Sequence, residues 1–170
     1  MDKALIDYIH QIERNNQAGC FSIMERYYGR INQSPGSLQK HQNWKGGYVH
    51  HLEETMMIAN ELYLTLSKIR QLDFSISDVI LVLFLHDLEK PFKYVEPIRG
   101  FGNDDEKYKF IIEMSQDHNI KLSDIHLNAI RYIHGEGKDH NSDTRIQLPL
   151  AAFAHMCDVT SARIWFDYPK

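Results

Sequence analysis

Apolar positions along this chain recur every three or four residues almost throughout, the period of an amphipathic helix. Residues 4–14 set Leu5, Ile6, Ile9 and Ile12 on one side and predict a first helix. Residues 20–31 predict a second. From Asn32 to Gly47 the pattern breaks, and Ser34-Pro35-Gly36 with Gly46-Gly47 marks a loop. Residues 48–70 restore it as one long helix. Ser75, with Asp78 three residues on, resembles a capping box and opens a helix expected to run to about Glu89. Pro91 and Pro97 flank an expected loop. Asn103 is placed to cap a helix whose first turn carries Asp104, Asp105 and Glu106, where carboxylates suit the dipole. Ser123 caps the next, which is expected to reach about His134 and stop at Gly135. Residues 135–147 read as a polar loop. The last helix starts near Leu148-Pro149 and runs past Asp158. No segment alternates with period two. The expected class is all-α, a single-domain helical bundle over residues 1–170.

Composition narrows the partners. The 43% hydrophobic and 25% charged fractions are those of an ordinary globular domain. A net charge of −4 argues against general nucleic-acid or anionic-membrane binding. The longest unbroken apolar run, Val79 to Leu85, is far too short to span a bilayer. The first residues show no basic segment leading into an apolar one, so no signal peptide is expected. Cys20 and Cys157 form no CxxC pair, which fits a reducing cytoplasm. The ten histidines are the oddity, and their positions matter more than their number.

His86-Asp87 follows directly on the apolar run Val79–Leu85. A buried carboxylate without a partner is costly or takes up a proton, and a bound divalent cation removes that cost. Helical stripes supply further donors. On the long helix, His51 continues the row Thr55, Ile58, Leu62, whereas His50 falls with Glu54 and Glu61. His51 is therefore the favoured ligand and His50 the alternative. His134 closes a helix with Ile130 and Ile133 inward. Asp158 lies on a stripe with Ala151, Ala154 and Ala162, small residues that permit close helix approach. Each of these alone has a bland reading, such as a hydrogen-bonded core histidine. Together they form an imidazole–carboxylate set suited to Mn, Fe, Co, Ni or Zn, or to Mg.

The pattern resembles the HD-domain superfamily of metal-dependent phosphohydrolases. Gly46-Gly47-Tyr48-Val49-His50-His51-Leu52-Glu53 is similar to that family's Gly-Gly-x-x-x-His opening. Leu85-His86-Asp87-Leu88-Glu89-Lys90-Pro91 is similar to its His-Asp-x-Gly-Lys-Pro segment. His155-Met156-Cys157-Asp158-Val159-Thr160-Ser161-Ala162 is similar to its final His-x-x-Asp-x-x-Ser/Asp-Ala segment. The likeness runs over about residues 46–162. It implies a bundle of the HD type with metal ligands His51, His86, Asp87 and Asp158. His134 stands where two-metal members carry an extra histidine. Asp104, Asp105 or Glu106 stand where such members have a further ligand, so one or two divalent ions are expected.

The activity implied is hydrolysis of a small phosphate ester, with a nucleotide foremost, by metal-activated water. Asp87 would hold the ion and orient the water. Lys90 is the leading cation for the phosphoryl oxygens. Lys93, Arg99, Arg131, Lys138 and Arg145 are weaker ones. Glu89 replaces the family's common Gly and is either a catalytic base or a rim charge. Trp44 is a candidate stacking surface for a base. His155 is expected as a structural or supporting neighbour of Asp158. His10, His41, His118, His126 and His140 are expected at the surface or in local hydrogen bonds. Competing readings are a di-iron oxygenase of the same fold and a non-catalytic module that binds metal or nucleotide.

Overall fold

The computed structural model describes residues 3–97 and 100–165. Arg99, one of the weaker cation candidates, lies outside them. The chain is all-helical among the described residues. Helix α5 (Ile76–Leu85) is the axis of the bundle because no face of it is polar: Val79 to Leu85 are all buried. It starts at the expected capping box. Ser75 accepts from the Asp78 amide, and the Asp78 carboxylate accepts from the Ser75 amide at 2.7 Å.

The N-terminal helix and three further helices pack around α5. Helix α4 (Gly47–Ile69) packs on α5 and on α9 (Pro149–Arg163), and α9 also meets α5 and α8 (Asp124–Tyr132). Ala151, Ala154, Cys157 and Ser161 make the buried face of α9, so its backbone can approach α4 and α5 closely. Helix α7 (Asp104–Asp117) begins at Asn103, whose side chain accepts from the Glu106 amide at 2.9 Å. Gly135, at φ +99°, ends the α8 segment as expected. No helix among the described residues is long and apolar enough to cross a membrane.

Three boundaries differ from expectation. The first helix, α1, covers only Lys3–Ile9. Gln11 and Ile12 close tight turns onto Tyr8 and Ile9, and the Glu13 amide is drawn to Ser77 Oγ at 2.7 Å. The second helix, α2 (Arg14–Arg26), starts six residues early, through Asn15, Asn16 and Gly19, poor helix formers. Tertiary contact overrides propensity there. Asn16 exchanges two hydrogen bonds with Lys121, and a Cβ on Gly19 would lie 2.5 Å from the His118 carbonyl. A short α3 (Tyr28–Ile31) follows. Finally, α5 ends at Leu85, and bonds from Leu88 to Leu85 and from Lys90 to Asp87 tighten the chain into a turn. The expected loop after Pro91 is instead helix α6 (Lys90–Tyr94). Pro91 sits in its first turn, where a missing N–H is harmless.

Candidate metal centre

Four buried side chains converge where α4, α5 and α9 meet. His51, His86, Asp87 and Asp158 each offer one donor atom, and these atoms all lie within 4.8 Å of one another. His51 Nε2 is 3.2 Å from Asp158 Oδ1 and 3.5 Å from Asp87 Oδ2. His86 Nε2 is 3.2 Å from Asp87 Oδ2 and 3.7 Å from Asp158 Oδ1. Four donors arranged tetrahedrally about 2.1 Å from one ion stand about 3.4 Å apart. The observed separations bracket that value.

The backs of both histidines are tied. His86 Nδ1 donates to the Leu83 carbonyl at 2.7 Å, which leaves Nε2 facing the carboxylates. His51 Nδ1 donates to Ser161 Oγ at 3.0 Å, and the Ser161 hydroxyl in turn donates to Glu54 Oε2 at 2.6 Å. Gln42 braces Glu54 from the other side, donating at 2.8 Å. Both Nε2 atoms are therefore pointed inward. Those two atoms are buried and have no hydrogen-bond partner. Orphaned polar atoms of this kind are rare unless something else satisfies them. This buried cluster could hold a metal ion.

Electrostatics agrees. Burial pushes His51 down to about 4, which keeps its imidazole neutral and its lone pair available. Burial would lower His86 too, but Asp87 and Asp158 outweigh it and raise the ring to about 10. With Nδ1 committed to Leu83, the extra proton belongs on Nε2, between two carboxylates. A divalent cation answers the same demand and displaces that proton. Asp87 and Asp158 resist burial and stay well below the ordinary carboxylate range. Lys90 and His86 do this for Asp87; the adjacent His51 and His86 rings do it for Asp158.

The other expected residues fall into distinct places. Lys90 meets Asp87 Oδ2 in a close ion pair and lines a cavity of 270 Å³ above the cluster. His134 stands at the rim with its side chain 55% exposed, outside the four-donor group. Its Nε2 lies 3.8 Å from the outer oxygens, Asp87 Oδ1 and Asp158 Oδ2. Asp104, Asp105 and Glu106 are exposed at the start of α7 and do not join the cluster. Glu89 is no rim charge: it is buried. Burial and the field of Asp87 raise its carboxyl to about 7 against the pull of Lys90.

Lys93 and Arg131 line a separate cavity of 510 Å³ beside the cluster. Arg131 is already bound there to Asp105 and, at 3.6 Å, to Asp139. A narrower cavity of 120 Å³, which includes His86 and His134, adjoins it. Lys138 also lines the larger cavity, whereas Arg145 is exposed on the loop before α9. Trp44 is 40% exposed and donates its indole N–H to His50 at 2.9 Å, away from the cavity lining. His50, the alternative ligand, thus belongs to the surface. His155 binds the Ile133 carbonyl and so ties α9 to the segment that carries His134.

Two residues near the cluster, His41 and Gln42, carry no periodic signal. His41 makes the expected local hydrogen bond, to the Gln42 side chain, and in addition packs on His51 with ring centroids 4.9 Å apart and lines the 270 Å³ cavity. Gln42 is buried at φ +44°, a left-handed backbone unusual for glutamine. Its carbonyl accepts from the Gly36 amide and approaches Gly47 so closely that a Cβ there would lie 1.9 Å away. Gly46, at φ +81°, turns the chain into α4. The Gly-Gly pair therefore clamps Gln42 behind His51. Glu54 was assigned to the polar stripe, yet it reaches the same network. The 42–47 contact alone could have signalled this, through two adjacent glycines before a helix. No protein-family model, curated protein or solved structure matches this chain.

Proposed function

We propose that this protein is a metal-dependent phosphohydrolase acting on a small phosphate ester, with a nucleotide as the foremost substrate class. The observation that carries the proposal is the convergence of four buried donors whose histidines are turned inward by hydrogen bonds behind them. His51, His86, Asp87 and Asp158 would hold the ion. When bound, a divalent ion lowers the pKa of a coordinated water and polarises a phosphoryl oxygen.

The chain's own groups set the rest of the chemistry. Lys90 Nζ sits at the wall of the cavity beside Asp87, where it can neutralise charge growing on phosphoryl oxygens. Asp87 keeps its inner oxygen in the cluster and its outer oxygen toward His134. His134 is open to solvent and lies 3.8 Å from the outer carboxylate oxygens, where it can carry a proton to or from the cavity. Glu89 lines none of the three cavities described, so its part is electrostatic, through Asp87 and Lys90. His155 fixes the backbone before His134.

The test is phosphate release from a panel of nucleotides and simple monoesters with Mn, Co, Ni, Zn, Fe or Mg. Metal-dependent release that disappears in Asp87→Asn is expected. No release with any of these metals at saturating substrate would overturn the proposal.

A further inference from the structure

Phosphate groups could enter this molecule at two charged cavities, and their charge balance is different. The 510 Å³ cavity carries Lys93, Lys107, Arg131 and Lys138 against an equal number of carboxylates. Its cations are mostly spoken for. Lys107 binds Asp104 at 2.7 Å, Arg131 binds Asp105 and Asp139, and Lys138 approaches Asp105 to 3.7 Å. An anion entering there must break existing pairs.

The 270 Å³ cavity above the metal cluster is different. Besides Lys90 it is lined by Lys40 and Arg163, which stand on the loop before α4 and the last turn of α9. Neither makes an ion pair among the described residues. The Lys40 backbone is held by Ser37 Oγ at 3.2 Å, so the loop presents this side chain from a fixed point. Two carboxylates, Asp87 and Asp158, face these three cations, leaving one surplus positive charge. A divalent ion in the cluster raises the surplus to three. The dianion of a phosphate monoester uses only two of these charges.

We infer that Lys40 and Arg163 form a second anion subsite, so that the preferred substrate is a small phosphate ester carrying another anionic group, a second phosphate foremost. This inference rests on the hydrolase reading of the same cavity. The reacting phosphate sits by Lys90 over the metal cluster. The second anion is held by Lys40 and Arg163 toward the opening. These two residues select substrate and do not take part in bond cleavage.

The experiment is equilibrium binding by calorimetry to Mn-loaded protein freed of excess metal. The probes are inorganic phosphate, imidodiphosphate and bisphosphonates with one to three methylene groups between the phosphorus atoms. At least one two-phosphorus probe is expected to bind about tenfold tighter than phosphate, as one added charge-assisted contact would give. Arg163→Ala and Lys40→Ala are expected to remove that advantage while phosphate affinity and bound Mn stay as in the wild type. Lys68→Ala, which removes the same charge about 25 Å along α4 from His51 at 1.5 Å per residue, is expected to change nothing. Both cavity variants alter exposed side chains, and circular dichroism confirms their fold. Phosphate binding with no gain from any second anion, or a gain that survives both substitutions, would overturn the inference and leave the hydrolase reading standing. Absence of phosphate binding together with absence of ester hydrolysis would overturn the hydrolase reading, and this inference with it.

Discussion

The protein buries histidine against aspartate in two places, with opposite outcomes. At the N-terminal end of α5, His126 and Asp78 form a closed set. His126 Nδ1 accepts from the Ser123 amide at 3.1 Å, and Nε2 donates to Asp78 Oδ1 at 2.9 Å. The other Asp78 oxygen accepts from Ser75. At the opposite end of α5, His51 and His86 each satisfy one nitrogen and leave the second without a partner, facing two carboxylates. Both pair histidine with aspartate, and Asp78 is the more open carboxylate, its side chain 26% exposed against 3% for Asp87. What separates a histidine that closes a fold from one that can bind an ion is whether its second nitrogen is spoken for.

The largest effect should come from removing a carboxylate of the open set. Asp87→Asn or Asp158→Asn is expected to abolish tight metal binding, read by elemental analysis, and to lower kcat/KM by about a thousandfold or more, since under the proposed reading a bound ion would both activate the attacking water and act as Lewis acid. The same substitution at Asp78 should leave metal content and kcat/KM unchanged. A metal-replete Asp87→Asn would erase the distinction between the two sites.

Ser161→Ala comes next. It removes the acceptor behind His51 without touching a donor atom. Metal affinity should fall about ten- to a hundredfold, the usual cost of losing a partner that orients a ligand. Excess metal should restore the turnover. Unchanged affinity would mean that packing alone orients His51.

Asp78→Asn probes the closed set through stability. A loss of about 1–3 kcal/mol in chemical denaturation at pH 7 is expected, from the cap and the buried hydrogen bond to His126. The pH dependence has a definite sign. Burial would raise the Asp78 carboxyl, but hydrogen bonds from Ser75 and His126 outweigh this and hold it below its ordinary value. A depressed folded-state pKa stabilises fully above the unfolded value of about 4, and the contribution is lost as pH falls through the folded value. The gap between wild type and Asp78→Asn should therefore be flat from pH 7 to 5 and close below about pH 4. A gap that widened toward acid would contradict the assignment.

The smallest effect is expected at Trp44. Trp44→Ala should change kcat/KM by less than about twofold, because the indole is engaged with His50 outside the cavity lining and a typical exposed substitution costs little. A large rise in KM would place the substrate across that surface.

How much of this was legible in the sequence follows the same division. The four donors could be read because His51 and Asp158 ride helices whose apolar rows fix their direction, beside Thr55 and Ala154, and His86 and Asp87 directly follow the apolar run of α5. Both capping residues of the closed set, Ser75 and Ser123, were legible from local spacing. His126 was expected only as a local hydrogen-bonder, and its reach to Asp78, 48 residues away, is a tertiary fact. Lys40, His41 and Gln42 lie on a loop, where no period tells direction. Lys93 and Arg131 are weaker cation candidates than Lys90 in the sequence, and their spacing does not say which cavity they line. The turn at Leu88 and the short α6 leave Lys93 lining the neighbouring cavity. The helix start at Arg14 was hidden because contacts to Lys121 and His118 decide it.

The Gln42–Ser161 contact joins chain segments 119 residues apart, and Ser161 also holds His51. This has a consequence for order in time. Contacts of large sequence separation form late, after the loops between them have closed. A chain that has emerged as far as Asp87 already owns three of the four donors. It still lacks Asp158 and the hydroxyl that aims His51. The site therefore comes into being with the docking of α9, and metal capture during refolding would serve as a clock for that final event.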